Sequence, residues 1–214
     1  ECGSKIVLKD NKNLYLELSK FQKEIEKYVE ENDGLWRVNA KNETNKYLKQ
    51  GLVDRAVTRD LDWGVDIPVE GYENKKMYVW IEAVLGYITA TMKKCEETGQ
   101  NWEEFWKEEY HPTIYMVHGK DNIVFHSIIF NALLLAMKEN YHLVNTIVSS
   151  EYLNINDEKI SKSKGNGIPA LELVEKYNVD TLRFHLINNG PEKKDSNFTE
   201  ESLIATNNGE LLNK

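Results

Sequence analysis

The residues best suited to chemistry lie in one short stretch, Lys159-Ile160-Ser161-Lys162-Ser163-Lys164-Gly165-Asn166-Gly167, which places three lysines and two serines in nine positions. Flexible ammonium groups on a glycine-containing loop suit a polyphosphate whose charge grows as a bond to it breaks. Serine hydroxyls and amides left open by glycine add hydrogen bonds to phosphate oxygens. The plain alternative is a solvated basic loop. Its setting argues against that, because the stretch follows a strand-like region and precedes a helix with Pro169 at its start. It is not a P-loop, since the GxxxxGK[ST] spacing is absent.

Two other groups stand out. Trp80, Ala83, Val84 and Tyr87 recur at i, i+3, i+4 and i+7 and therefore share one helix face. On spacing alone an ordinary core stripe is the commoner explanation. In His118-Gly119-Lys120-Asp121-Asn122-Ile123-Val124-Phe125-His126, Gly119 allows close approach of backbone to a nucleotide. Asp121 precedes an apolar helical run and reads as its N-cap. His126 falls one turn inside that helix, where a buried, hydrogen-bonded histidine is the default.

The elements that must position these groups follow from periodicity and punctuation. The beginning offers a short strand at Ile6-Val7-Leu8, then an amphipathic helix through Phe21, Ile25, Tyr28 and Val29 that ends near Gly34. A second, polar helix covers Asn42–Gln50, and Thr58–Pro68 reads as a junction. From there strands at Lys76–Trp80, Thr113–Val117 and Leu143–Ser149 alternate with helices through Ala83–Tyr87 and over Ile123–Lys138. That alternation predicts an α/β fold with a parallel sheet covered by helices. Tyr152–Glu158 reads as a hairpin, and helices follow at Pro169, around Asp180–Asn188 and from Glu201.

Composition narrows the class. The 214 residues are 41% hydrophobic and 29% charged, ordinary values for a globular chain able to bury a core. A formal net charge of −8 excludes a broad nucleic-acid-binding surface, so any RNA contact is local. Cys2 and Cys95 form no disulfide framework, which predicts a reducing, cytoplasmic setting. The run Ile123–Met137 is broken by His126, Ser127 and Asn131, so a buried helix is expected rather than a membrane span. The chain begins at Glu1 without a methionine and stops inside a helical stretch, so both ends read as cut.

On these residues the chain resembles the methionyl-tRNA synthetases, a class I aminoacyl-tRNA synthetase family. Lys159–Ser163 is similar to that class's KMSKS signature, with Ile160 in place of methionine. Met77–Tyr87 resembles the family's methionine-pocket helix, with Val84 where many members have proline and Glu82 where aspartate is common. The resemblance implies the second half of a Rossmann-type catalytic domain, carrying the end of a connective insertion and the start of a helical bundle. It assigns catalysis to Lys159 and Lys162. It assigns ATP binding to Gly119, Asp121, Leu153, Lys159, Ser161, Lys162 and Ser163, with Leu153 contacting adenine through backbone. It assigns methionine binding to Trp80, Ala83, Val84, Tyr87, Asn122 and His126. A polarizable thioether sits well against aromatic rings, which fits that last set.

The implied boundaries are 1–52 for the insertion, 53–148 for the catalytic half, 149–190 for the KMSKS loop and stem-contact region, and 191–214 for the anticodon-binding bundle. The implied reaction joins methionine to tRNA(Met) through methionyl-adenylate, using ATP with Mg²⁺. Zinc is expected only with cysteines outside this chain, because Cys2-Gly3 alone resembles the tail of a zinc knuckle. No membrane partner is expected, and oligomeric state is left open. The family's HIGH tetrapeptide is absent from the sequence, so residues 1–214 by themselves are expected to be inactive. Two rivals stand beside this reading: another class I synthetase, for isoleucine, valine, leucine or cysteine, and a non-catalytic RNA-binding or assembly module derived from one.

Overall fold

The computed structural model describes residue 8, residues 10–161 and residues 163–213. The expected strand at Ile6–Leu8 and the Cys2-Gly3 pair fall largely or wholly outside them. Strand β1 (Tyr15–Leu16) leads into helices α1 (Gln22–Asn32) and α2 (Val38–Gln50). Two short antiparallel pairs follow: β1 with β2 (Arg55–Ala56), and β3 (Thr58–Arg59) with β4 (Lys76–Met77). The expected junction over Thr58–Pro68 therefore contains a strand. Lys76–Trp80 does not join a parallel sheet; it gives only two residues to an antiparallel ribbon, and Val79 already begins a helix.

That helix is broken. α3 (Val79–Ala83) stops at Val84 and α4 (Gly86–Thr98) starts at Gly86. Gly99, left-handed at φ 72°, closes α4 as a glycine C-cap does. The parallel pair consists of β5 (Tyr115–Gly119) and β6 (Thr146–Ser150), joined through α5 (Phe130–Met137). Between β5 and α5 the chain makes a single tight turn at Lys120–Asn122 and then a wide π turn over Phe125–Ile129, where Phe130 N–H donates to the Phe125 carbonyl.

The last part is built on β7 (Leu153–Ile155), β8 (Glu158–Lys159), α6 (Ala170–Lys176), α7 (Val179–Asn188), β9 (Ser196–Phe198) and α8 (Glu200–Thr206). β7 and β8 form the expected hairpin, and β9 pairs parallel to β7, a strand too short and polar to stand out in the sequence. Pro169 is the N-cap of α6, and Asn178 caps α7 by accepting from Asp180 N–H.

Burial follows this layout. One hydrophobic cluster takes Ile25 and Tyr28 from α1, Ala40 from α2, Ile128 and Phe130 after β5, and Ile147 from β6. A second, smaller one joins Ile155, Leu182, Phe198 and Leu203. The outer side of β6 is covered from the start of α2: Arg37 N–H donates to Ile147 O (3.2 Å), and the Asn39 amide to Ser149 O (3.3 Å). The apolar helical run reaches from Lys120 to Met137, 18 residues, long enough by length and composition to cross a bilayer and longer than its interruptions suggested. Its polar members Ser127 and Asn131 are fully buried in the protein core, hydrogen-bonded to Thr44 and to backbone, as in a core helix.

Candidate functional site

The C-terminal end of β5 and the turn after it organise the site. Gly119 closes β5 opposite Ser150 of β6, and the space a side chain would fill there is open. Asp121 and His126 follow within seven residues of that strand end. Ligand groups in open α/β sheets collect at such strand ends.

His126 is 4% exposed and fixed at both ring nitrogens. The Asn122 carbonyl can only accept, so Nδ1 donates to it at 2.8 Å. Nε2 is then the acceptor for the Tyr87 hydroxyl, also at 2.8 Å. His118 stacks on the same ring, centroids 4.2 Å apart. Its Nδ1 donates to Gly119 O at 2.9 Å, while its Nε2 is buried with no hydrogen-bond partner among the described residues. Burial lowers the pKa of both imidazoles below the ordinary histidine value, so both are neutral at pH 7. The stacked pair carries no charge.

Around them stand aromatic rings from α3, α4, the π turn and α5. Trp80 (43% exposed) packs against Phe125 at 5.6 Å, and Tyr87 (42% exposed) against His126 at 5.6 Å and Phe130 at 6.1 Å. The four residues at helical spacing do not all share one exposure. Trp80, Ala83 and Tyr87 form an exposed stripe, whereas Val84, 3% exposed, packs into the core with Ile81 and Ile88. Asn122 contributes its carbonyl to His126. Phe125, Phe130 and His118 belong to the same constellation and were missed. The spacing of Phe130, one helical turn beyond His126, was a signal for it.

His126, which meets Tyr87, lies within the π turn. Asn131, fully buried, donates to the carbonyls of His126 (2.9 Å) and Ser127 (3.2 Å) and accepts from Val144 N–H (3.0 Å). A side chain competing for those carbonyls supports a widened turn, a feature common at functional sites.

A second group of polar side chains gathers around Asp121 and Tyr152. The Tyr152 hydroxyl donates to Asp121 Oδ1 at 2.5 Å. The ammonium groups of Lys120 and Lys159 each stand 4.0 Å from the Tyr152 ring centre. Lys120 also binds Glu151 (2.5 Å) and Asp195 (2.9 Å), which raise its pKa strongly, whereas Lys159 makes no ion pair among the described residues. Leu153 opens β7, in register with Ser196 of β9. A cleft of about 440 Å³ borders Asp121, lined also by Tyr47, Arg55, Lys120, Phe125 and Glu151. It does not include Trp80, Tyr87 or His126; the first two are exposed on a neighbouring surface, and His126 is buried beneath them.

The lysine loop is folded on itself by Asn166. The Asn166 side chain accepts from Ser161 N–H (2.8 Å) and donates to Lys159 O (3.1 Å), while Ser161 and Ser163 hydroxyls meet at 2.9 Å. Gly165 turns the chain at φ 64°, a conformation that side chains rarely adopt. Lys162 lies outside the described residues.

The chain is similar to known proteins over its whole length. The family described as tRNA synthetases class I (M) matches residues 1–214. Methionine–tRNA ligase 1 of Alkaliphilus oremlandii is 48% identical over 212 residues, 99% of this chain and 38% of that protein. The methionine–tRNA ligase of Bacillus mycoides is 47% identical over 213 residues, 99% of this chain and 39% of its own. The Mycobacterium tuberculosis methionyl-tRNA synthetase in complex with methionyl-adenylate superposes with a TM-score of 0.80 at 26% identity, over all of this chain and 40% of that one. The chain thus spans about two-fifths of the relatives it matches. With a whole-length family match, an α/β site built at a strand end and close relatives of one kind, the chain belongs to the class I (M) tRNA synthetases, the family of the methionyl-tRNA synthetases.

Proposed function

We propose that this chain forms part of a methionine–tRNA ligase and holds the methionine side chain, the ribose and the phosphates of ATP. The observation that carries this reading is the turn after β5. Asp121 and His126 sit on one continuous helical segment, so a ribose on Asp121 and an amino acid beside His126 are brought together. The uncharged aromatic wall of Trp80, Tyr87 and His126 suits a thioether better than a charged side chain.

In the reaction the methionine carboxylate oxygen attacks the α-phosphorus of MgATP, and the bond from that phosphorus to the bridging oxygen breaks. Pyrophosphate leaves with the added charge, which Lys159 and Lys162 offset. Holding the two reactants in line supplies much of the acceleration. A hydroxyl of the tRNA terminal ribose then attacks the activated carbonyl and releases AMP. Ser161, Ser163 and Gly119 contribute hydrogen bonds or close approach, and the Leu153 backbone reaches adenine. Val84 serves as a buried floor under Ala83. Magnesium enters with ATP. The division at residues 52, 148 and 190 assigns β7–α7 to the loop and stem contact and the last residues to a helical bundle.

The test is single-turnover adenylate formation in the full-length enzyme containing this segment. Lys162→Ala should slow it by about 100-fold or more, as loss of a transition-state charge partner does, with methionine affinity nearly unchanged. Normal adenylate formation by that variant would remove the assignment. Dependence on isoleucine, valine, leucine or cysteine instead of methionine would select the other class I reading.

A further inference from the structure

We propose that Tyr152 is a positioning residue that ties recognition of the ribose to placement of the Lys159 ammonium. The inference rests on the function proposed above and extends it to a residue outside the motifs that carried it.

Tyr152 touches both halves of the nucleotide site. Its hydroxyl donates to Asp121 Oδ1 at 2.5 Å, leaving Oδ2 for a sugar hydroxyl. Its ring centre lies 4.0 Å from the Lys159 ammonium, at the edge of the phosphate-facing loop. The backbone is anchored separately: Tyr152 N–H donates to Asp195 Oδ1 at 2.9 Å, and Ser196 N–H donates to Tyr152 O at 2.9 Å. The backbone of Tyr152 is therefore held by Asp195 and Ser196, independently of Asp121 and Lys159.

The two lysines beside the ring are not equivalent. Lys120 is neutralised by Glu151 and Asp195 and serves as a structural tie. Lys159 has no carboxylate partner among the described residues, so the π face is what holds its charge. A π face attracts an ammonium without neutralising it. The charge remains available to a phosphate that arrives nearby, while a carboxylate in the same place would quench it. Asp121, oriented by the hydroxyl, fixes the sugar at the distance from Lys159 that the rigid tyrosine spans.

Two substitutions separate the halves, read by methionine-dependent exchange of pyrophosphate into ATP in the full-length enzyme containing this segment. Tyr152→Phe keeps the ring and deletes the hydroxyl; the KM for ATP should rise about five- to tenfold, the usual worth of a hydrogen bond to a charged group, with kcat within about twofold. Tyr152→Leu deletes both and should add a fall in kcat of about threefold or more, as expected for a lost cation–π contact. The KM for methionine should stay put in both. An unchanged ATP KM in Tyr152→Phe overturns the proposal, as do equal kcat values in the two variants or a rise in methionine KM. Tyr152→Phe is isosteric and decides the hydroxyl half even if the leucine variant fails to fold. If the unsubstituted enzyme shows no methionine-dependent exchange, the functional reading falls and this inference with it. If it exchanges normally and the variants match it, only the role of Tyr152 falls.

Discussion

His126 shows how much one side chain depends on its partners. Its Nδ1 is committed to Asn122 O, which makes Nε2 an acceptor and lets the Tyr87 hydroxyl donate to it. With its proton given to His126, the Tyr87 hydroxyl has only acceptor lone pairs to offer a further group. Replacing Trp80 or Tyr87 by alanine should weaken methionine binding several-fold or more in the full-length enzyme, with ATP affinity nearly unchanged, as equilibrium titration would measure. Both side chains are more than two-fifths exposed, so little core is lost with them. An equal fall in ATP affinity would show that they act by packing. The residue types and spacing of Trp80, Tyr87 and His126 were readable in the sequence; the stack of His118 on His126 was not, because it joins a strand to a helix that only folding brings side by side.

At the scale of elements, the segment from Lys120 to Met137 carries the site, and its π turn is the least predictable part of it. A continuous apolar run predicts a helix but not where that helix widens. Asn131 decides the matter from inside the core, by binding two carbonyls of the turn and one N–H of the chain before β6. Asn131→Ala would strand Val144 N–H away from water, at a cost of about 1–3 kcal/mol for a buried group left unpaired. The denaturant midpoint should fall accordingly, and the Tyr87–His126 hydrogen bond should loosen with it. A variant as stable as the parent would mean that the turn is set by packing of Phe130 alone. The helical stretch over α3 and α4 is a second case. Four residues at helical spacing were expected on one face, yet Val84 also stands three residues from Ile81 and four from Ile88 and is buried with them, while Trp80 and Tyr87 stay outside.

Over the whole molecule, the parallel sheet is the main unfinished surface. Among the described residues β5 pairs only with β6, and on β5 Tyr115 and Val117 are 62% and 76% exposed. An apolar strand with an open side invites pairing with another chain. Residues 1–214 prepared alone should therefore self-associate as concentration rises, visible in size-exclusion chromatography. They should also show no methionine-dependent pyrophosphate exchange, since they match about two-fifths of their relatives and contain no HIGH tetrapeptide. Exchange by this chain alone would mean that the residues named here suffice for the chemistry.

Sequence by itself determined the α/β class, the lysine loop, the helical spacing of Trp80, Ala83 and Tyr87, and the hairpin that precedes the loop. Those features are local: they rest on periodicity, turn residues and motif spacing within about ten positions. Only the tertiary structure decided that Lys76–Met77 joins an antiparallel ribbon, that β9 lies beside β7, and that Val84 turns inward. It also brought Asp121, Tyr152 and Lys159 into one chain of contacts across 31 and 7 residues of sequence. Strand partners and contacts between distant side chains depend on which surfaces bury together. That selection is made by the whole core at once, so no short window of residues contains it.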